Sequence, residues 1–211
     1  MEPRMVDTGT TTLGLSCTDG VVLAADRRAT AGTLIAHKHT KKVYRIDENL
    51  GLTTAGLVGD LQVLARYITA EAELYKLKRG LPMSVEAAAT LTANILAGRR
   101  FFPYFVQLVI GGVDAKGSHV FSLDMAGGSL EDKYVSTGSG SPYVYGVLED
   151  HWTDNTDVKA GIDLAIRAVT AAMKRDAVSG EGIDVATITR DGYKEVDEKE
   201  VERRKAAMKL A

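Results

Sequence analysis

Thr10 stands directly after Gly9 and opens the run Thr10-Thr-Thr-Leu-Gly-Leu-Ser-Cys17. A threonine hydroxyl is a poor nucleophile until a base takes its proton, and a threonine at a chain terminus carries that base in its own α-amino group. Such an amine titrates near neutrality, at about 7.7 to 8.0. In the chain as written Thr10 is internal and its nitrogen is an amide, so the sequence is expected to encode a zymogen activated by cleavage at Gly9-Thr10. Glycine suits the preceding position, because a residue without a side chain permits the cramped turn that brings the Thr10 hydroxyl onto the Gly9 carbonyl. Asp26 and Lys42 are the next candidates. A lysine ammonium near the hydroxyl and amine favours their deprotonated forms, and a carboxylate holds that ammonium charged and oriented. Were the two only a surface pair, they would contribute about 0 to 1 kcal/mol. Gly56, after Leu52-Thr-Thr-Ala55, offers a bare backbone N–H of the kind that forms an oxyanion hole, although an ordinary turn glycine looks the same in sequence.

Strands have to position these groups. Thr10 to Cys17 reads as a strand, Thr18-Asp-Gly20 as a hairpin turn, and Val21 to Asp26 as its antiparallel return, which brings Asp26 back beside Thr10. Lys42 to Ile46 and Leu52 to Ala55 form a second pair, and these four strands are expected in one sheet. From Asp60, a candidate N-cap, Leu61, Leu64, Ala65, Ile68, Ala72 and Tyr75 recur at helical spacing as far as Gly80. Ser84 can cap a second helix ending near Gly98. Tyr104 to Asp114, His119 to Asp124 and Lys133 to Thr137 then read as the meander of a second sheet. Pro142 to Glu149 and Val158 to Met173 look helical, Ile183 to Thr189 and Tyr193 to Val196 form a hairpin, and Glu198 to Leu210 is a charged last helix. Segregated runs of strands and helices argue for an α+β fold, expected as four layers, αββα: two antiparallel sheets face to face with helices outside.

The 211 residues contain no repeat or low-complexity linker and suit a single domain that buries roughly 70% of its unfolded surface. One cysteine, Cys17, excludes an internal disulfide and is read as a buried small residue. A net charge of −2 with mixed signs leaves no footprint for nucleic acid or an anionic membrane. No apolar run approaches the ~20 residues that cross a bilayer, and the first residues lack the order of a secretory signal, so a cytoplasmic protein is expected. His37 and His39 sit at strand-like spacing without further ligands nearby in sequence, so no metal is expected.

Gly9-Thr-Thr-Thr-Leu-Gly, Asp26-Arg27-Arg28, Lys41-Lys42, Ala55-Gly56-Leu-Val-Gly-Asp60, Gly138-Ser-Gly-Ser141 with Tyr145-Gly-Val-Leu-Glu149, and Arg175-Asp176 to Ser179-Gly180 together resemble proteasome β subunits. The resemblance spans nearly the whole chain, and the short leader is most similar to archaeal members. It implies an N-terminal nucleophile hydrolase fold and a threonine-type endopeptidase. A leader, residues 1–9, would be removed, leaving one catalytic domain, residues 10–211. Thr10 is then nucleophile and, through its freed amine, base; Asp26 and Lys42 support it; and the Gly56 N–H receives the oxyanion. It further implies that Ser139, Asp176 and Ser179 manage the proton and a catalytic water. Without it, Gly138-Ser-Gly-Ser141 reads as a flexible loop or a phosphate cradle. By the same resemblance Ala29, Thr40, Tyr44, Thr54 and Val58 line the pocket for the side chain before the cut, with a preference for apolar residues. The implied setting is heptameric β rings stacked on α-subunit rings and fed unfolded protein by a regulatory ATPase, with no cofactor. Two alternatives stay open from sequence: a related bacterial two-ring peptidase, and a non-catalytic ring subunit.

Overall fold

The computed structural model describes residues 9–210, so the expectation for residues 1–8 of the leader lies outside them. The first hairpin forms around Thr18-Asp19, with β1 (Thr12–Cys17) returning as β2 (Gly20–Asp26). Its register pairs Leu13 with Ala24 and Leu15 with Val22, so the period-2 pattern puts these residues on one face and Val21, Leu23 and Ala25 on the other. A short hairpin not foreseen from sequence follows, β3 (Ala29–Ala31) with β4 (Leu34–His37). Then come β5 (Val43–Asp47), β6 (Leu50–Gly56) and two helices, α1 (Val58–Arg79) and α2 (Val85–Gly98). Ser84 caps α2 as expected, its side chain accepting from the Ala87 N–H. Asp60 does not cap α1: that helix begins a turn earlier, after Leu57, and the Asp60 carboxylate instead receives the Phe105 N–H at 2.9 Å.

Next are β7 (Val106–Asp114), β8 (Gly117–Leu123), β9 (Ser129–Glu131) and β10 (Tyr134–Thr137). The chain ends with α3 (Ser141–His151), α4 (Val158–Met173), β11 (Ile183–Thr189), β12 (Gly192–Glu195) and α5 (Glu198–Ala207). Two antiparallel five-stranded sheets result, ordered β10-β1-β2-β11-β12 and β5-β6-β7-β8-β9. The expectation that the first two hairpins share a sheet is therefore wrong, as is the placing of residues 133–137 with the meander. β6 pairs along its whole length with β7, and β10 crosses to pair with β1.

The layers are the expected αββα. Leu52, Leu108 and Ile110 pack with Leu64, Ile68, Ala89 and Leu96 beneath α1 and α2. Leu13, Leu15 and Val22 pack with Ile162, Ala165, Ile166 and Val169 beneath α4. Between the sheets lie Val21, Leu23, Val43, Val109, Val120 and Ile188. The pairing brings several chain ends to one rim. The β1 start lies between the ends of β2 and β10, since Thr12 pairs with Ala25 and with Thr137, and the β11 start pairs with Asp26.

Candidate active site

Thr10 precedes β1 by two residues at this rim and is 4% exposed. Its hydroxyl donates to the Gly9 carbonyl oxygen at 2.7 Å, which places it on the carbonyl of the Gly9-Thr10 peptide bond, as expected from sequence. The Thr10 N–H donates to Ser139 Oγ at 3.2 Å, and Ser139 Oγ donates in turn to Asp176 Oδ2 at 2.7 Å. Ser179 Oγ donates to the same Oδ2 at 2.6 Å. With its proton committed there, Ser179 accepts from the Thr11 hydroxyl at 2.7 Å. The loops before α3 and after α4 thus meet beside the Thr10 nitrogen, the first through Ser139 and the second through Asp176 behind it. Gly138 adopts φ +92°, and a Cβ on it would collide with the Thr10 carbonyl oxygen, so glycine is required for this approach.

Asp26, at the end of β2, is fully buried and Lys42 is 4% exposed. Asp26 Oδ1 accepts from Lys42 Nζ at 2.7 Å and from the Thr11 N–H at 2.9 Å. Its Oδ2 accepts from the backbone N–H groups of Arg28 at 3.0 Å and Gly180 at 2.9 Å. Burial pulls the Lys42 pKa below its ordinary value, against the opposing pull of Asp26. Asp26 and Lys42 were expected at the same end of one sheet; they meet instead across two, Lys42 lying just before β5.

Gly56 closes β6 at φ +130°, where a Cβ would collide with the Phe105 carbonyl, and it faces a small cavity of about 30 Å³ that Thr10 and Lys42 also line. Ala29, Thr40, Tyr44, Thr54 and Val58 all line that same cavity. Its volume is about that of one water, so anything larger has to part these walls to enter.

Sequence reasoning missed three residues here. Thr30 Oγ1 receives the Gly9 N–H at 3.4 Å, and Gln107 Oε1, from the other sheet, receives the Gly138 N–H at 3.1 Å. Arg28 holds the loop after α4, donating to the Ala177 carbonyl at 2.8 Å. None of the three carries a local signal, since each acts on a partner more than 20 residues away. Cys17 lies away from the rim; burial, with Asp19 and Asp157 adding to it, pushes its thiol up to about 12. Among the described residues no group of three or more His, Cys, Asp or Glu is placed to hold a metal.

Residues 6–188 match the family model described as proteasome subunit. The chain belongs to the proteasome subunit family. Relatives named proteasome subunit beta share about half their residues with this family member over most of both chains. The protein of Methanosarcina thermophila is 52% identical over 95% of this chain and 96% of its own. That of Methanothermobacter thermautotrophicus is 52% identical over 93% and 94%, and that of Thermoplasma acidophilum 52% over 95% of each. With this proteasome membership the αββα architecture and the rim that gathers Thr10, Asp26 and Lys42 have a common setting.

Proposed function

We propose that this chain is the catalytic β subunit of a proteasome core particle and works as a threonine-type endopeptidase after losing residues 1–9. The observation that carries the reading is the placing of the Thr10 hydroxyl on the Gly9 carbonyl beside the buried Lys42–Asp26 pair. In self-cleavage Thr10 Oγ attacks the Gly9 carbonyl carbon and the Gly56 N–H receives the developing oxyanion. The Gly9–Thr10 amide breaks, the hydroxyl proton passes to the leaving nitrogen, and an ester joins Gly9 to Thr10 Oγ. Water then hydrolyses the ester, releasing the leader as a carboxylate and leaving Thr10 with a free amine.

In peptide hydrolysis that amine takes the Thr10 hydroxyl proton and delivers it to the leaving amine of the substrate. The second step uses the amine to activate water against the acyl ester. Ser139, Asp176 and Ser179 hold the amine in place and Lys42 lowers the cost of the alkoxide. Ala29, Thr40, Tyr44, Thr54 and Val58 receive the side chain before the cut, and the largely uncharged wall they form favours apolar residues.

Family membership supports the rest of the reading: heptameric β rings of this chain on α-subunit rings, unfolded protein as substrate, a regulatory ATPase as feeder, and a cytoplasmic location. Among the described residues no helix is long and apolar enough to cross a membrane. The test is the intact mass of the chain co-assembled with its α subunit. Loss of residues 1–9 from wild type, with retention in Thr10→Ala, is expected. Retention in both would assign the chain a scaffolding role.

A further inference from the structure

In Asp26-Arg27-Arg28 the first residue has a place in the proposed chemistry, and the third is left over. The loop between α4 and β11 carries Asp176, which backs the Thr10 nitrogen through Ser139, and Ser179, which meets the Thr11 hydroxyl. The loop is held at several points, and the Arg28 side chain supplies two of them. One guanidinium nitrogen, Nη1, donates to the Ala177 carbonyl at 2.8 Å, and the other, Nη2, pairs with Glu181 Oε1 at 3.2 Å. The planar group lies against the Cα of Gly180, where an added Cβ would collide with it. The Arg28 backbone N–H and the Gly180 N–H share Asp26 Oδ2, and the Gly180 carbonyl accepts from the Arg27 N–H at 3.1 Å. Glu181 takes φ +67°, a disfavoured region for a residue with a side chain, so its conformation has to be held from outside.

We propose that Arg28 is a positioning residue that straps the Asp176–Glu181 loop against the Asp26 carboxylate, setting the Asp176–Ser139–Ser179 cluster against the Thr10 amine. The inference rests on the proposed catalytic reading. Arginine's planar fork reaches the Ala177 carbonyl and the Glu181 carboxylate at once, a reach a lysine point charge does not reproduce. The guanidinium's own partners, Ala177 and Glu181, are not walls of the substrate cavity, whose residues come from the Gly9-Thr10 step, β3, the segment before β5, β5, β6 and α1. Loss of the strap should therefore lower turnover and leave substrate affinity alone.

The experiment compares wild type, Arg28→Lys, Arg28→Ala and Thr10→Ala in particles co-assembled with the α subunit, with kcat and KM measured on a fluorogenic peptide per processed subunit counted by intact mass. Arg28→Ala is expected to lose at least fivefold in kcat with KM within twofold, and Arg28→Lys to fall between it and wild type. A purely architectural role would lower the yield of particles and leave kcat per processed subunit intact; kcat within twofold of wild type therefore overturns the proposal. So does a rise in KM at unchanged kcat. Should Arg28→Ala fail to assemble, Arg28→Lys decides: a kcat reduced at least twofold at unchanged KM supports the strap, and an unchanged kcat overturns it. Hydrolysis surviving in Thr10→Ala would instead sink the catalytic reading itself.

Discussion

At Asp26 one carboxylate satisfies four donors: the Lys42 ammonium and the backbone N–H groups of Thr11, Arg28 and Gly180. A pair buried this completely is not prized for stability, since desolvation offsets most of its attraction, but breaking it leaves a charge with no partner. Asp26→Asn is expected to destabilise the fold by about 3–5 kcal/mol, read from urea unfolding, because it strands the Lys42 charge. Peptide hydrolysis should fall at least about 100-fold with it. In the proposed mechanism Lys42 also sets a pH limit. Its pKa lies below the ordinary value of 10.5, and its support for the Thr10 alkoxide needs the charge. Activity should therefore be lost on the alkaline side with a midpoint below 10.5, read from kcat/KM against pH. An alkaline limb unmoved below that value would exclude a charged Lys42 from the mechanism.

Cys17 behaves oppositely, its buried thiol holding its proton up to about 12 against an ordinary 9.0. Only about one part in 10⁴ is thiolate at pH 8, so iodoacetamide should leave the folded chain unmodified and label it in urea. Between pH 9 and 12 the unfolded state releases this proton and the folded state keeps it, so this group makes stability fall by about 1.4 kcal/mol per pH unit.

At the scale of elements, the rim around Thr10 depends on loops that must approach β1 closely. Gly138→Ala places a Cβ against the Thr10 carbonyl at a backbone angle of +92°. Leader removal, followed by intact mass over time, should slow at least about tenfold while far-UV circular dichroism stays unchanged, because misplacing a catalytic group by about 1 Å costs about 100-fold in rate. Processing at the wild-type rate would mean that the Ser139 loop is not needed for the cleavage. The helices were legible in sequence for local reasons: Ser84 and Asp157 cap α2 and α4 through their own side chains, and the apolar periodicity of both lies within the segment. Capping by Asp60 was misread because an aspartate before an apolar run is equally available to a distant N–H, here that of Phe105.

For the whole molecule, the chain by itself leaves Leu77, Phe101 and Phe102 exposed at 84%, 89% and 86%. Adjacent exposed aromatics commonly mark an interface. Binding of a hydrophobic dye by the isolated chain should drop on co-assembly with the α subunit, and an unchanged signal would mean that assembly leaves these side chains in water.

The sequence by itself determined the layer order and the types of the longer elements and singled out Gly9-Thr10 as the candidate site, because turn residues, period and the need of a threonine for a base are written within a few positions of one another. Asp26 could be placed near Thr10 from a hairpin alone, since an Asp-Gly turn returns one strand beside the other. Tertiary structure decided which hairpin joined which sheet. The faces of β5 and β6 are apolar whether they lie beside β2 or beside β7, and only the long-range fit of helices over each sheet selects the partner. It also decided that Lys42 meets Asp26 across two sheets, and that Thr30, Gln107 and Arg28 reach the rim at all. Each acts on residues more than 20 positions away along the chain, and no local pattern records such a meeting.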